Sequence, residues 1–230
     1  FVSDDDFETT VRGLNTEFQK LTEEAHDLEK KIADKYAPKI PKVLETNRLT
    51  YLSLVWTFFI LIFGYMGKFN IHWFWLVSLM IVFHYLTDMF DGAVGRYRET
   101  GLVRWGYYMD HMLDYIYLNS IFVSYAFIFP KDSHILILSA MAIFSAFFVN
   151  SHLSFSATDE FKITYLRGGP TEIQLGFVII NTIIIFTGTA FINKLLPVLV
   201  VASLLALFAF IGKTQGKIWK IDMKNKLKGK

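Results

Sequence analysis

The sequence predicts an all-α membrane protein in which six transmembrane helices form a bundle. Of its 230 residues, 53% are hydrophobic and 17% are aromatic, which is more apolar than a soluble domain of this size. Six separate apolar stretches each have about the 17–25 residues that a helix needs to cross a hydrocarbon core. Membrane β-strands alternate apolar with polar residues. Runs such as residues 179–186 do not show this alternation. An α-helical bundle is the spanning fold that fits.

The apolar stretches define three regions of the chain. They cover approximately residues 50–67, 71–90, 106–129, 134–152, 173–192 and 195–212. We therefore predict an N-terminal amphipathic arm (1–45), a six-helix transmembrane domain (46–212) and a basic tail (213–230). The tail has seven lysines and one aspartate, which favours contact with anionic lipid headgroups. The chain has no cysteine, which excludes disulfides and thiolate metal sites.

The distribution of basic residues predicts the orientation of the bundle. Arg96, Arg98 and Arg104 follow the second stretch, and Lys162 and Arg167 follow the fourth. The opposite ends of the stretches have one lysine each: Lys68, Lys131 and Lys194. Because basic loops stay on the cytoplasmic side, both termini and the two longer loops are expected to face the cytoplasm.

The N-terminal arm has apolar residues spaced alternately four and three apart. They are Phe7, Val11, Leu14, Phe18, Leu21, Ala25, Leu28 and Ile32. This spacing predicts an apolar stripe on one helical face, which ends before Pro38 and Pro41. The helix could pack on the membrane domain or lie at the membrane interface. The alternative is a short coiled coil with a second subunit.

Acidic residues within the apolar stretches are costly, and their positions are therefore informative. Five of the 21 acids lie within or at the edges of these stretches: Asp88, Asp91, Asp110, Asp114 and Glu172. Asp88 and Asp91 are three residues apart, and Asp110 and Asp114 are four apart, so each pair occupies one helical face. Acids at span ends can be simple interfacial residues. Two facing pairs at one membrane boundary instead favour a functional cluster.

Four facing carboxylates repel one another unless cations neutralise them. An all-oxygen set suits Mg²⁺, Mn²⁺ or Ca²⁺ rather than zinc. Such a set can hold two ions about 4 Å apart, as in two-metal phosphoryl chemistry. Gly92, Gly95 and Gly106 lie beside the acids and leave room for a bulky ligand. The residues thus predict a site for two divalent metal ions.

One segment resembles the signature of the CDP-alcohol phosphotransferase family. It reads Asp88-Met-Phe-Asp91-Gly92-Ala-Val-Gly95-Arg96, then nine residues, then Gly106-Tyr-Tyr-Met-Asp110-His-Met-Leu-Asp114. The family pattern is D-x-x-D-G-x-x-A-R, a gap of eight or nine, then G-x-x-x-D-x-x-x-D. Gly95 stands where the family usually has Ala.

Two shorter segments extend the resemblance. Residues 46–50, Thr-Asn-Arg-Leu-Thr, are similar to the P-N-x-L-T segment of the family, with Thr46 in place of Pro. Residues 169–172, Gly-Pro-Thr-Glu, look like an element of the choline and ethanolamine phosphotransferases, and Asp110-His111 is also similar to that branch. The Gln-Ala-Arg-Arg run of that branch is absent.

The resemblance implies a role for each matching residue. Asp88, Asp91 and Asp110 would bind two divalent metals, Mg²⁺ or Mn²⁺, and Asp114 would be a ligand, the general base, or both. The cytidine diphosphate site would be formed by Asn47, Gly92, Gly95, Arg96 and Gly106. Glu172 would contact or activate the acceptor, although it could equally cap its helix. His84 and His111 are expected to form outer hydrogen bonds or packing contacts rather than metal bonds.

The resemblance also implies the reaction, in which an alcohol attacks the β-phosphoryl group of a CDP-linked donor and CMP leaves. Transfer from CDP-choline or CDP-ethanolamine to diacylglycerol is slightly favoured. The alternative is transfer from CDP-diacylglycerol to inositol, glycerol phosphate or serine. The expected partners are these substrates and membrane lipids, with a homodimer as one arrangement and no nucleic acid.

Three other classes of protein compete with this interpretation. A cation transporter could use the aspartates as its binding site, but it predicts acids near mid-span and an internal repeat. A catalytically inactive scaffold would not need all four aspartates. Isoprenoid synthases also have Asp-rich helices, but without six spans or this glycine spacing.

Overall fold

The computed structural model describes residues 24–158 and 170–228, together with Glu17, Lys20 and Leu21. The seven helices of these regions are α1 (24–36), α2 (Thr46–Met66), α3 (Phe74–Tyr97), α4 (Val103–Ile128), α5 (His134–Thr158), α6 (Pro170–Thr187) and α7 (Thr189–Lys228). Three short 3₁₀ turns join them: Ala37–Lys39, Ile71–Trp73 and Lys131–Ser133. No strand occurs within the described ranges, and the all-α prediction is confirmed.

Among the described residues, four helical segments are long and apolar enough to cross a membrane. They are Thr46–Met66, Ile71–Tyr97, Lys131–Thr158 and Thr189–Lys224. Helix α6 is apolar but shorter, and α4 is long but has Arg104, Asp110 and Asp114 in its first half. Six spans therefore stay a prediction. Helix α7 continues without a break into the basic tail, even though Pro197 lies inside it.

Helix α2 packs against both α3 and α4, and α3 also packs against α6. Two pairs of stacked side-chain rings fix the antiparallel register of α3 and α4. Phe74 stacks on Tyr125 with ring centroids 6.1 Å apart, and His84 stacks on Tyr117 at 3.8 Å. Residue numbers thus rise along α3 as they fall along α4. This register brings the last turns of α3 beside the first turns of α4.

A buried polar link crosses the middle of the bundle. The Tyr125 hydroxyl of α4 donates to Asn181 Oδ1 of α6 (2.9 Å), and Asn181 Nδ2 donates to Ser78 Oγ of α3 (3.1 Å). Asn181 is fully buried. Because an unpaired amide there would be costly, these bonds fix the position of α6 relative to α3 and α4.

Small residues of α1 and of the 3₁₀ turn after it pack on the first turn of α2 and the last turns of α3. Ala33 and Ala37 are buried against Leu49, Ala93 and Val94. The predicted apolar stripe does not make this contact. Its described members Leu21, Ala25, Leu28 and Ile32 are exposed, and Phe7, Val11, Leu14 and Phe18 lie outside the described residues. What covers the stripe stays a prediction.

Arg98 joins the connection after α1 to the end of α3. Its Nη1 donates to Leu44 O (3.0 Å), and its Nη2 donates to Ile40 O (2.7 Å). A tight turn to α4 follows, with left-handed backbone at Glu99 (φ 50°) and Gly101 (φ 68°). Gly101 suits this turn because it has no Cβ to strain such a conformation.

Helices α2 and α4 approach each other most closely at Gly64, where a Cβ would overlap the side chain of Ser124. We expect Gly64→Ala to destabilise the bundle by about 1–3 kcal/mol, the usual range for overpacking. Gly176→Ala on α6 is the matched control, because a Cβ there meets nothing within 4 Å. Thermal unfolding in detergent measures both variants. A Gly64→Ala protein as stable as Gly176→Ala would contradict the packing.

Candidate active site

The register of α3 and α4 brings the four predicted aspartates together. The carboxyl groups of Asp88 and Asp110 lie within hydrogen-bonding range of each other. Asp88 also interacts electrostatically with Asp91 and Asp114, and Asp110 does so with Asp91 and Asp114. The two acidic faces expected from the residue spacing therefore meet at one depth.

A hydroxyl group of α2 orients the Asp91 side chain. The Thr50 hydroxyl lies 2.5 Å from Asp91 Oδ2 and donates to it, and it is also 2.9 Å from the Thr46 carbonyl oxygen. Asp91 Oδ1 is buried without a hydrogen-bond partner. A buried carboxylate oxygen without a partner is costly unless something else satisfies it. Asp91 is thus oriented by the protein and keeps one oxygen free.

The chemistry of this cluster fits divalent cations. All four side chains supply oxygen, the ligand that Mg²⁺ and Mn²⁺ prefer, and the free Asp91 Oδ1 lacks a partner that a cation would provide. Within residues 24–158 and 170–228, no group of three or more acidic or histidine side chains is arranged so that it could hold a metal ion. The cluster accordingly has the right donors, while the metal assignment itself stays a prediction.

A cavity of about 920 Å³ opens beside the aspartates. Seven of the predicted site residues line it: Asp88, Asp91, Gly92, Gly95, Arg96, Gly106 and Asp110. Three do not. Asp114 lies one turn beyond Asp110, Asn47 is partly buried with an unpartnered Oδ1, and Glu172 lies in the first turn of α6.

The cavity also has walls that the sequence analysis missed. Tyr85 lines it from α3, and Thr46 lines it from the first turn of α2. Thr171 and Gln174 line it from α6, on either side of Glu172 in sequence. Tyr85 lies three residues before Asp88, and this spacing could have indicated it. The others depend on long-range packing.

Helix α1 forms a further wall. His26, Glu29, Lys30 and Ala33 all line the cavity. Tyr85 interacts electrostatically with Glu29 of α1 and lies near Thr171 of α6. Residues of α1, α3 and α6 therefore line neighbouring parts of the cavity.

Arg96 lines the cavity, and two neighbouring residues define the position of its guanidinium group. Its Nη2 donates to Asp34 Oδ1 of α1 at 3.0 Å. Its Nη1 would be 3.3 Å from a Cβ at Gly92, so a side chain there would crowd the guanidinium. Gly92 therefore leaves space for the arginine as well as for a ligand.

The two histidines near the aspartates have different surroundings. His84 is 1% exposed, stacks on Tyr117, and has no hydrogen-bond partner on either ring nitrogen. His111 packs against Tyr107 and His152 with ring centroids 4.4 and 4.6 Å apart. Both make the packing contacts that the sequence analysis expected as one of two alternatives.

The family model for CDP-alcohol phosphatidyltransferases matches residues 40–212, about three quarters of the chain. The chain belongs to the CDP-alcohol phosphatidyltransferase family. No significant match was found among curated proteins or among solved structures. A CDP-alcohol phosphatidyltransferase is a membrane-embedded transferase of substituted phosphate groups in phospholipid synthesis, and this family generally uses divalent metals. The resemblance is confirmed, and the transporter alternative is set aside.

Two threonines of α2 allow a matched test of how this phosphatidyltransferase orients Asp91. Thr50 and Thr57 are both buried, and each hydroxyl lies 2.9 Å from the carbonyl oxygen four residues earlier, but the Thr50 hydroxyl donates to Asp91. We expect Thr50→Val to weaken Mn²⁺ binding about 10- to 100-fold, because it removes a bond that orients a metal ligand. Electron paramagnetic resonance of free Mn²⁺ measures this.

Thr57→Val should leave Mn²⁺ binding unchanged. Equal Mn²⁺ affinity in the Thr50→Val and Thr57→Val proteins would contradict an orienting role for Thr50.

Proposed function

We propose that phosphoryl transfer takes place in the cavity beside the four aspartates. The observation that carries this proposal is the convergence of Asp88, Asp91, Asp110 and Asp114 from two antiparallel helices beside a cavity of about 920 Å³. Asp88, Asp91 and Asp110 would hold two divalent ions, Mg²⁺ or Mn²⁺. Asp114 would be a ligand, the general base, or both. The ions would neutralise the diphosphate and the departing CMP.

The reaction forms one bond and breaks one bond at phosphorus. The acceptor oxygen bonds to the β-phosphorus of the CDP-linked substrate, and the bond from that phosphorus to the bridging oxygen breaks, which releases CMP. The hydroxyl proton goes to a carboxylate, for which we propose Asp114. Because Asp114 does not line the cavity, the acceptor hydroxyl has to pass Asp110 to reach it.

The order of residues along α3 suggests how the substrate lies. Tyr85, Asp88, Gly92 and Arg96 line the cavity in sequence. At about 1.5 Å per residue, Tyr85 and Arg96 are about 16 Å apart along the helix. Arg96 with Gly92, Gly95, Gly106 and nearby Asn47 would bind the nucleotide end, since a guanidinium suits a diphosphate. The alcohol end of the substrate would then lie near Tyr85.

The wall near Tyr85 favours a cationic alcohol. The acidic side chain of Glu29 is only 23% exposed, and its Oε2 lies 3.7 Å from His26 Nδ1. An amine or quaternary ammonium group could approach both the Glu29 carboxylate and the Tyr85 ring. We therefore favour CDP-choline or CDP-ethanolamine as the substrate, with a lipid such as diacylglycerol as the acceptor. The Gly-Pro-Thr-Glu segment at residues 169–172 supports the same branch.

Besides Arg96, Lys30 of α1 lines the cavity, whereas the basic residues of the loops do not support a phosphorylated acceptor. A phosphorylated acceptor needs cations beyond those that bind the CDP group. Arg98 donates to backbone carbonyls instead, and neither Arg98 nor Arg104 lines the cavity. Lys162 and Arg167 lie outside the described residues. CDP-diacylglycerol with inositol, glycerol phosphate or serine is the alternative.

The location follows from the same arrangement. We propose a multi-pass protein whose termini and active site face the cytoplasm, on the basis of the basic loops and the lysine-rich end of α7. The aspartates then lie at the boundary where a soluble substrate meets a membrane lipid. A homodimer and Glu172 as an acceptor contact stay predictions.

CMP release by the purified protein in lipid tests the function. We expect release with Mg²⁺ or Mn²⁺ for one pairing from a panel of CDP-linked substrates and alcohol acceptors, and none with excess chelator. Asp114→Asn should lower the rate at least about 100-fold, because a proton acceptor or metal ligand is lost. The control is Asp132→Asn, an exposed acid at the opposite helix ends. Equal rates in the two variants would exclude the proposed role of Asp114.

A second experiment tests whether Glu29 recognises the cationic alcohol group of the CDP-linked substrate. We expect Glu29→Gln to lower kcat/KM for CDP-choline or CDP-ethanolamine about tenfold, because a charge-assisted contact is lost. It should leave kcat/KM unchanged for CDP-3,3-dimethylbutanol, the uncharged isostere of CDP-choline. Asp27→Asn, exposed on the same helix and outside the cavity, is the control. Equal losses with charged and uncharged substrates would show that Glu29 does not recognise the cation.

A further inference from the structure

Thr46 has a buried hydroxyl that has no hydrogen-bond partner among the described residues. Thr46 is the first residue of α2 and is 7% exposed. Its carbonyl oxygen lies 2.9 Å from the Thr50 hydroxyl. A hydroxyl buried in this way costs free energy unless a ligand or water satisfies it. Because Thr46 also lines the cavity, its partner can come from there.

Gly95 faces this hydroxyl from α3. A Cβ at Gly95 would lie 3.2 Å from Thr46 Oγ1 and 3.5 Å from its Cγ2. A glycine within a helix costs about 1 kcal/mol relative to alanine. The missing Cβ keeps space open beside the hydroxyl, on a residue that itself lines the cavity.

Thr46 and Gly95 are also the two positions at which this chain departs from the patterns that it resembles, with Thr for Pro and Gly for Ala. They lie far apart in sequence, yet a Cβ at Gly95 would meet the Thr46 side chain. Thr46 adds a hydroxyl where the pattern has an apolar ring, and Gly95 lacks the methyl group of Ala that would crowd it. The hydroxyl and the space beside it therefore form one local feature of the cavity.

We propose that the Thr46 hydroxyl donates a hydrogen bond to the nucleotide end of the CDP-linked substrate, and that Gly95 keeps this hydroxyl accessible. Arg96, adjacent to Gly95, lines the same part of the cavity. Asn47, next to Thr46, presents a second buried oxygen without a partner, Oδ1. The partner is a phosphate or ribose oxygen of a cytidine nucleotide, and the inference rests on the proposed function in that this cavity binds the nucleotide.

Equilibrium binding of CDP to the full chain in lipid, with Mg²⁺ present, tests the hydroxyl. Thr46→Val keeps the shape and removes the hydrogen bond, and we expect it to raise the Kd for CDP about tenfold. Thr46→Ser keeps the hydroxyl and should stay within about twofold of wild type. Thr57→Val, which lies away from the cavity, controls for loss of a buried threonine hydroxyl.

A double-mutant cycle tests the contact with Gly95. Gly95→Ala should weaken CDP binding about as much as Thr46→Val, because the added methyl group crowds Oγ1. The variant with both changes should bind no worse than either alone, since one interaction is lost only once. Melting temperatures of all variants identify any loss caused by unfolding, and Thr46→Ser gives a second readout if Gly95→Ala fails to fold.

The outcomes separate the two proposals. Wild-type binding of CDP with an unchanged Kd in Thr46→Val overturns the role of Thr46 and leaves the proposed function standing. Additive losses in the cycle overturn the coupling to Gly95. Failure of the folded wild-type protein to bind CDP overturns both the proposed function and this inference.

Discussion

Mutual repulsion of four carboxylates is the constraint that the rest of this structure has to oppose. Asp88, Asp91, Asp110 and Asp114 share one buried region at the ends of α3 and α4, where charges interact more strongly than in water. Packing contacts outside the aspartate cluster hold them there. The stacks of Phe74 on Tyr125 and of His84 on Tyr117 fix the register of α3 and α4, and α2 supports both helices from one side. Cation binding would then release electrostatic strain that the bundle maintains.

The sequence was sufficient for the parts of the site that depend on local spacing. Asp88 with Asp91, and Asp110 with Asp114, are separated by about one helical turn, so a shared face followed from helix geometry alone. The meeting of the two faces followed from two antiparallel helices joined by a short turn. The same reasoning predicted that Gly92, Gly95 and Gly106 would lie beside the cavity.

The parts that depend on long-range docking could not be predicted. The apolar stripe of the N-terminal arm was compatible with packing on the bundle, with the membrane interface and with a coiled coil. Ala33 and Ala37 are the residues buried against the bundle, and buried alanines give no distinctive pattern. Glu172 was singled out for its charge, whereas Thr171 and Gln174 face the cavity. Residues 171 and 174 are three apart and share a face, and residue 172 is turned by about 100° from residue 171. The rotation of α6 about its own axis determines which of its side chains face the cavity, and a short sequence motif does not specify that rotation.

The family match does not include every helix that lines the cavity. This difference separates the residues proposed for the reaction at phosphorus from those proposed to determine which alcohol binds. The match begins at residue 40, yet α1 covers residues 24–36 and supplies one wall. Glu29 contacts Tyr85, and Asp34 contacts Arg96, in the same order along both helices. Helix α1 therefore reaches both ends of the proposed substrate path without contributing to the aspartate cluster between them. A wall in that position can change which alcohol binds while the groups that act on phosphorus stay the same.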